Sequence, residues 1–440
     1  MLSGALLAQT RGGRASAASP VMRIGYIARA GNRGRHPAAD PASAEVAAYA
    51  ALLGAREGAE EADYTARLIG GRVELLEAPA QTADQAVQQA ERLAGQGVAA
   101  LAGGFDLETA LALSRYALRR KIIFFNVGVT DDRLRNEACA RSTFHIEASD
   151  AMYLDAAADW LIRGLAFLVD ENAPQGVQVI RRTPARAWFL ITEDTGLQQA
   201  RRRRLQAALE QRHWGGRIVA DLVLKEQGGL APALRAIASA RPDIVFLLQS
   251  PAEQLRFYRE YEQARLPHEV TGFPDPVTQT RAFFGALLQS APKTAAGSIR
   301  IVSWEPTFAA VGGPQLSQRF YKRWKQPMDG PAWTSWLAVK ILWDTVTQAR
   351  TSEASSLLTY LQASRGTFDG YQGIGLTFRP WDHQLRHPLM VSRLTHPGGD
   401  AFQRAELVGQ FPNVLAPGRD PNQVLDQLGD SAQTSRCRWR

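Results

Sequence analysis

Glu193 and Asp194 stand side by side where an apolar run, AWFLIT at 187–192, comes to its end. Paired carboxylates are the simplest apparatus for general acid and base work, but acidic residues between a strand and a helix also cap the helix and complement its dipole. The pair reads as the second of these. His383 and His387 have the i, i+4 spacing that would set two imidazoles on one helix face for a metal. Pro380 and Pro388 flank them and make a helix unfavourable, so they read as solvated loop histidines. Gly103 and Gly104 close an apolar run and open a helix at Leu107. Their backbone can approach a ligand, although a plain tight turn needs the same residues. No GxGxxG follows the first apolar run, and neither GxxxxGK[ST] nor GxSxG occurs. The two cysteines, Cys139 and Cys437, can build neither a four-thiolate zinc site nor a disulfide framework; they leave room for one bridge. Dehydrogenase, ATPase and hydrolase chemistry therefore have no anchor, and neither catalytic residues, a metal nor a cofactor is expected.

The elements that would hold these residues alternate regularly. Strand-like runs at 22–28, 72–77, 98–102 and 121–127 alternate with helical periods at 43–68, 82–94 and 107–120. Runs such as IIFF at 122–125 are apolar on both faces, the mark of a parallel sheet covered by helices. After a long helix over 148–169 the rhythm repeats. Strands are expected at 187–192, 218–224, 243–249 and 270–273, and helices at 197–213, 230–240 and 252–264. This predicts an α/β fold of two Rossmann-like lobes, each a mostly parallel sheet flanked by helices, with several crossovers. A strand at 299–303 and helices at 314–325, 332–350 and 352–364 follow, then the β-rich piece FDGYQGIGLTFRPWDHQLRHPLMVSRL. The expected division is 22–146 with 303–365 as one lobe and 147–302 with 366–396 as the other, 397–440 trailing as a loose tail. Trp333, Trp336, Leu337 and Ile341 form a core-facing stripe. Phe105 and Phe273 lie just past strand ends, where open α/β sheets take ligands, and are candidate cleft walls.

At 440 residues, 45% apolar and 21% charged, the chain exceeds one ordinary core and suits a soluble globular protein. A net charge of +8 raises the question of nucleic acid. The cations are dispersed, and the one dense run, Arg201 to Arg204, has no interleaved aromatics and reads as a solvated helix face. No nucleic-acid partner is expected. No run reaches the roughly 18 apolar residues of a membrane helix. Residues 1–20 end in Ala15-Ser16-Ala17, as an export signal would, but the basic residues follow the apolar stretch instead of preceding it. The residues alone leave export open.

Over 22–394 the chain resembles the type I periplasmic binding proteins, particularly the branched-chain amino acid receptors of ABC transporters. The likeness is carried by MRIGYIA, NVGVTDDRLRNEACARSTFHIEASDAM, ITEDTG and LTFRPWDHQLRHPLMVSRL. Within that group WEPTF, AWTSWLAVK, FRPWDHQLRHP and a C-terminal cysteine are most similar to substrate-binding proteins linked to pyrroloquinoline-quinone (PQQ)-dependent alcohol oxidation. The resemblance implies a non-enzymatic, periplasmic, monomeric receptor that closes on a small solute and docks on a permease. It implies ligand contacts from Gly103, Gly104, Phe105, Asp106, Asn126 and Gly128 in one lobe. From the other lobe it implies Glu193, Asp194, Thr195, Gln249, Ser250, Phe273 and Asp275. Amino-acid-binding members carry small hydroxyl residues in the first-lobe loops; Gly103 to Asp106 and Asn126 to Gly128 depart from this, which puts an amino-acid ligand in doubt. In an oxidising compartment a bridge between Cys139 and Cys437 becomes an expectation. An α/β enzyme of receptor-like fold, or a degenerate receptor acting as a periplasmic sensor or scaffold, are the alternatives.

Overall fold

The computed structural model describes residues 21–29, 40–169, 176–225, 229–395, 400–414 and 418–439; the signal-like residues 1–20 lie outside them. The first sheet consists of β1 (Val21–Arg29), β2 (Arg72–Ala80), β3 (Ala100–Gly103), β4 (Ile123–Asn126) and β5 (Thr143–His145), all parallel in the order β2-β1-β3-β4-β5. Helices α1 (Ala44–Leu68), α2 (Ala83–Gly95) and α3 (Leu107–Arg120) connect its first four strands. Their starts are set by local chemistry: Thr82 and Asp106 accept the backbone N–H of the third residue on.

The chain then crosses to a second lobe through α4 (Asp150–Arg163), β6 (Leu165–Val169) and β7 (Val177–Arg181). Its wound part follows as β8 (Ala187–Glu193), α5 (Gly196–Gln211), β9 (Arg217–Leu224), α6 (Ala231–Ala240), β10 (Ile244–Leu248), α7 (Pro251–Ala264) and β11 (Glu269–Gly272). The four strands β11-β10-β8-β9 are parallel. The helix expected over 148–169 ends at Arg163, because Gly164 adopts a left-handed cap (φ 67°) and Leu165–Val169 pairs antiparallel with β7.

Next come α8 (Arg281–Ser290), α9 (Pro292–Ala295) and β12 (Ile299–Val302), the first two unforeseen in the sequence reading. The chain returns to the first lobe as α10 (Gly313–Trp324), α11 (Gly330–Ala349) and α12 (Ala354–Gln362). Trp333, Trp336, Leu337 and Ile341 of α11 are fully buried, as their spacing predicts. Helix α11 lies against α1 with the two backbones in contact. A Cβ built on Gly54 would fall 1.8 Å from the Ala332 carbonyl oxygen, and one on Gly58 would fall 2.8 Å from that of Trp336.

The β-rich piece is shared between lobes instead of finishing the second. Strands β13 (Phe368–Asp369), β14 (Gly375–Phe378) and β15 (Leu385–Arg386) stay with the first, where Gln384 bridges His145 and Phe378 packs edge-on against Phe144. Strand β16 (Leu389–Leu394) joins the second lobe's antiparallel sheet, ordered β12-β16-β17-β6-β7, with β17 (Ala405–Phe411) as its centre. The tail expected to be loose thus supplies a sheet strand and α13 (Pro421–Leu425), because Leu407, Val408 and Phe411 provide apolar surface that the sheet covers.

Candidate functional site

The C-terminal ends of both parallel sheets face a cleft of about 300 Å³ between the lobes. From the first lobe it is walled by the start of α1 (Ala42, Ala44, Ala47), the loop after β3 (Phe105, Asp106, Leu107) and the loop after β4 (Gly128 to Asp131). The second lobe contributes Leu197 and Arg201 of α5, Pro251 of α7, and Asp275 to Val277 after β11.

Of the first-lobe candidates, Phe105, Asp106 and Gly128 line this space, whereas Gly103, Gly104 and Asn126 shape it from behind. Gly103 and Gly104 have positive φ, and a Cβ on Gly103 would meet the Ile27 carbonyl oxygen at 2.8 Å, so only glycine lets the loop turn there. Asn126 is fully buried; its Oδ1 accepts from Val129 N–H at 3.0 Å and its Nδ2 donates to Val129 O at 2.8 Å, which curls 127–129 toward the cleft. Asp106 caps α3 through Thr109 N–H at 2.8 Å.

In the second lobe only Asp275 of the candidates lines the cleft. Glu193 is buried and accepts from Ser250 N–H at 2.7 Å, while Asp194 is exposed, so the two carboxylates do not form an acid/base pair. Thr195 caps α5 through Gln198 N–H, Ser250 stands at the N-cap of α7, and Gln249 is buried with its carbonyl oxygen accepting from Gln254. Phe273 is fully buried and is not a wall; it is the platform on which the Arg201 guanidinium lies, 3.7 Å from the ring centroid.

Arg201 is the residue that the sequence reading missed. The run Arg201 to Arg204 is not a solvated face: Arg202 pairs with Asp221, Arg204 pairs with Asp430 at 2.8 Å, and of the four only Arg203 is exposed. Arg201 itself is 3% exposed. Its Nε donates to Asp150 Oδ1 at 3.1 Å, and its Nη2 donates across the cleft to Thr130 Oγ1 at 3.0 Å. A signal was present, since 197, 201, 205 and 209 recur every four residues and the other three are leucines. Burial raises the pKa of Asp275, with Arg201, 3.9 Å away, acting against the rise. Asp131 is held below the usual carboxylate range: burial would raise it, but the hydrogen bonds and charge of Arg133 outweigh that.

His383 and His387 are buried, not solvated. The His383 ring stacks on Phe144 (4.4 Å) and its Nδ1 lies 3.2 Å from Thr143 O, because this loop is covered by β5 on one side and by the Trp439 ring, 4.3 Å away, on the other. Among the described residues no group of three or more His, Cys, Asp or Glu is placed to hold a metal, and no helix is long and apolar enough to cross a membrane. Burial lowers the pKa of both histidines to about 4 and that of His145 further. In the unfolded chain they charge near pH 6.5. As pH falls from about 6.5 to 4 the unfolded state takes up protons that the native state refuses, so stability falls, by on the order of 3 kcal/mol per histidine. His213 works in the opposite sense: burial opposes its charge, but Asp155 and Asp159 outweigh that and raise its pKa. Asp132, Glu147 and Asp329, which burial raises to about 7, also take up protons in the native state as pH falls, so the histidine contribution is read by difference. Between pH 7 and 5 the stability of the parent should change less favourably than that of His387→Gln, by about 2 kcal/mol, and urea midpoints with the same pH dependence in both proteins would refute the account.

Cys139 and Cys437 are joined by a disulfide, with Cα atoms 5.6 Å apart.

Two wound lobes joined by several crossings, with a solute-sized space between their strand ends, define a bilobal binding protein. Residues 38–400 match the family model described as periplasmic binding protein, and the chain belongs to that family. Solved structures share the fold. A branched-chain amino acid ABC transporter periplasmic ligand-binding protein from Burkholderia xenovorans is 16% identical, with a TM-score of 0.70 over 91% of this chain and 97% of its own. An amino acid ABC transporter substrate-binding protein from Pseudomonas fluorescens is 17% identical, with a TM-score of 0.69 over 91% and 99%. An ABC transporter solute-binding protein from R. palustris, solved in complex with benzoate, is 15% identical, with a TM-score of 0.66 over 95% and 99%. Among curated proteins no sequence matches significantly.

Proposed function

We propose that the protein is the extracytoplasmic solute-binding component of an ABC transporter. It takes a small solute between its lobes and presents the closed form to a membrane permease. The observation that carries this reading is the cleft itself, walled by strand-end loops of both lobes. A solute touching both walls binds the closed arrangement better than the open one, and that difference drives closure without any bond being made or broken. The alternative of an enzyme loses its carboxylate pair, since Glu193 is committed to Ser250.

The ligand set we assign is Phe105, Asp106, Gly128, Arg201 and Asp275, with Thr130 as the partner of Arg201 across the cleft. Gly103, Gly104, Asn126 and Phe273 act behind this surface. The relatives named above are described with amino acids and with benzoate, and a small organic acid or amphiphile suits a wall that combines Phe105 and Leu197 with Arg201 and Asp275. The link to PQQ-dependent alcohol oxidation rests on sequence resemblance alone, carried by WEPTF, AWTSWLAVK, a C-terminal cysteine and, most specifically, FRPWDHQLRHP. That last segment packs against β5 and under the C-terminal residues, away from the cleft walls, so it does not select a ligand.

A thermal-shift panel of amino acids, aromatic and aliphatic acids, small alcohols and PQQ tests the reading. A solute present at a hundred times its Kd stabilises by about 2.7 kcal/mol. Gly128→Val should abolish the shift, since a Cβ there already falls 2.7 Å from the Phe105 ring. A panel in which no class raises the Tm, or a shift that survives Gly128→Val, counts against the cleft. Co-purification with a signalling protein in place of a permease would favour the sensor alternative.

A further inference from the structure

We infer that the C-terminal residues 420–439 form a strap between the lobes, riveted by the Cys139–Cys437 disulfide, that limits how far the cleft opens.

The strap touches both bodies in turn. At its start Asn422 accepts from Thr377 Oγ1 at 2.7 Å, and Asp426 is gripped by Arg386 at 2.7 and 3.0 Å, both partners belonging to the first-lobe hairpin β14–β15. Arg379, on the same hairpin, donates to the carbonyls of Leu425 and Leu428 at 3.0 and 2.6 Å. The strap then reaches the second lobe. Gly429 N–H donates to Asp155 of α4 at 2.7 Å, and the Gly429 carbonyl accepts from Arg212, just beyond α5, at 2.9 Å. Asp430 joins both lobes with one carboxylate: Oδ1 meets Arg204 of α5 at 2.8 Å, and Oδ2 accepts from Asn136, in the first-lobe loop after β4, at 3.1 Å. Beyond it the strap stays on the first lobe. Arg436 N–H donates to Asn136 Oδ1 at 2.7 Å, Cys437 bonds to Cys139, and the Trp439 ring lies 4.3 Å from that of His383.

These attachments sit beside the cleft. Arg204 is one turn along α5 from Arg201, and Asn136 follows the cleft-lining Asp131 in the same loop. A hinge motion that parts α5 from this loop must break the Asp430 bridge or drag the strap. Val424, Leu425 and Leu428 bury the first half of the strap, but a chain end beyond them without a covalent tie would fray. The disulfide, closing a sequence separation of 298 residues, keeps the end in place. Wide-open states are thereby removed from the ligand-free ensemble, and less ordering remains for the solute to drive.

The test needs no ligand and so stands apart from the receptor reading. Small-angle scattering is measured on the full ligand-free chain, on the double variant Cys139→Ser/Cys437→Ser, and on Asp430→Asn, which keeps the disulfide and weakens the bridge. A compact chain of 440 residues has a radius of gyration of about 22 Å. We expect an increase of about 1 Å in the double variant and a smaller one in Asp430→Asn, both with folded profiles. A folded double variant that scatters like the parent overturns the strap. If the double variant does not fold, Asp430→Asn decides, and an unchanged radius in it overturns the proposal.

Discussion

Arg201→Met should lower the unfolding free energy by about 3–5 kcal/mol, the cost of leaving a buried ionic partner alone. Asp150 is that partner: its side chain is 6% exposed, and without the guanidinium the Thr130 hydroxyl, at 2.7 Å, is the donor that remains on its Oδ1. Methionine fills much of the same volume over Phe273 and is a good helix former, so the loss isolates charge from packing. Urea unfolding gives the number, and a double-mutant cycle gives its origin. Asp150→Asn added to Arg201→Met should recover a large part of the loss, because the amide no longer carries a charge to be matched. A double variant no more stable than Arg201→Met would mean that the pair is not what Arg201 supplies. The solute should feel the change as well. Arg201 donates across the cleft to Thr130, so its removal loosens the contact between the closed lobes, and Arg201→Lys, lacking the forked donor geometry, should restore stability better than affinity.

The alternation of elements was legible because buried parallel strands and amphipathic helices have different apolar periods, and IIFF against the Ala-rich pattern of α1 shows both. What was not legible had specific causes. The apolar residues Leu165 to Leu168 follow α4 with only Gly164 between, so periodicity alone extended the helix through a strand. For the histidines, flanking prolines predict a loop, and loops are usually outside; this loop lies between Thr143, Phe144 and Trp439. At the cleft, the strand-end rule points to loops that line it but does not tell which side chains face inward. It placed Phe105, Asp106, Gly128 and Asp275 on the wall together with residues that only shape or cap it. Arg201 escaped because it lies a turn inside a helix, and its neighbours in sequence, three more arginines, disguised a buried position as a charged surface.

Gly54→Ala offers a sign test of the contact on which the first lobe is built. Alanine is the better helix former by about 1 kcal/mol, and Gly54 lies well inside α1, so intrinsic propensity alone predicts a more stable protein. Sterics predict the reverse. The added Cβ would fall 1.8 Å from the Ala332 carbonyl oxygen and 2.7 Å from its Cα, against a backbone that cannot rotate away as a side chain could. Helix α11 is fixed on its far side, where Thr334 Oγ1 donates to the Val127 carbonyl at 2.9 Å and Ser335 Oγ meets Tyr26 OH at 3.2 Å. The helices must separate, and we expect a net loss of about 3 kcal/mol or more. Gly95→Ala, at the end of α2 with nothing within 4 Å of its added Cβ, is the control and should be neutral or mildly stabilising. The effect should reach the cleft. Ala44 and Ala47 of the same helix form part of its wall, so pushing α1 off α11 displaces that wall and weakens solute capture in the molecules that remain folded. Denaturant midpoints decide the matter: a Gly54→Ala protein as stable as its parent would mean that the two helices do not touch at the backbone.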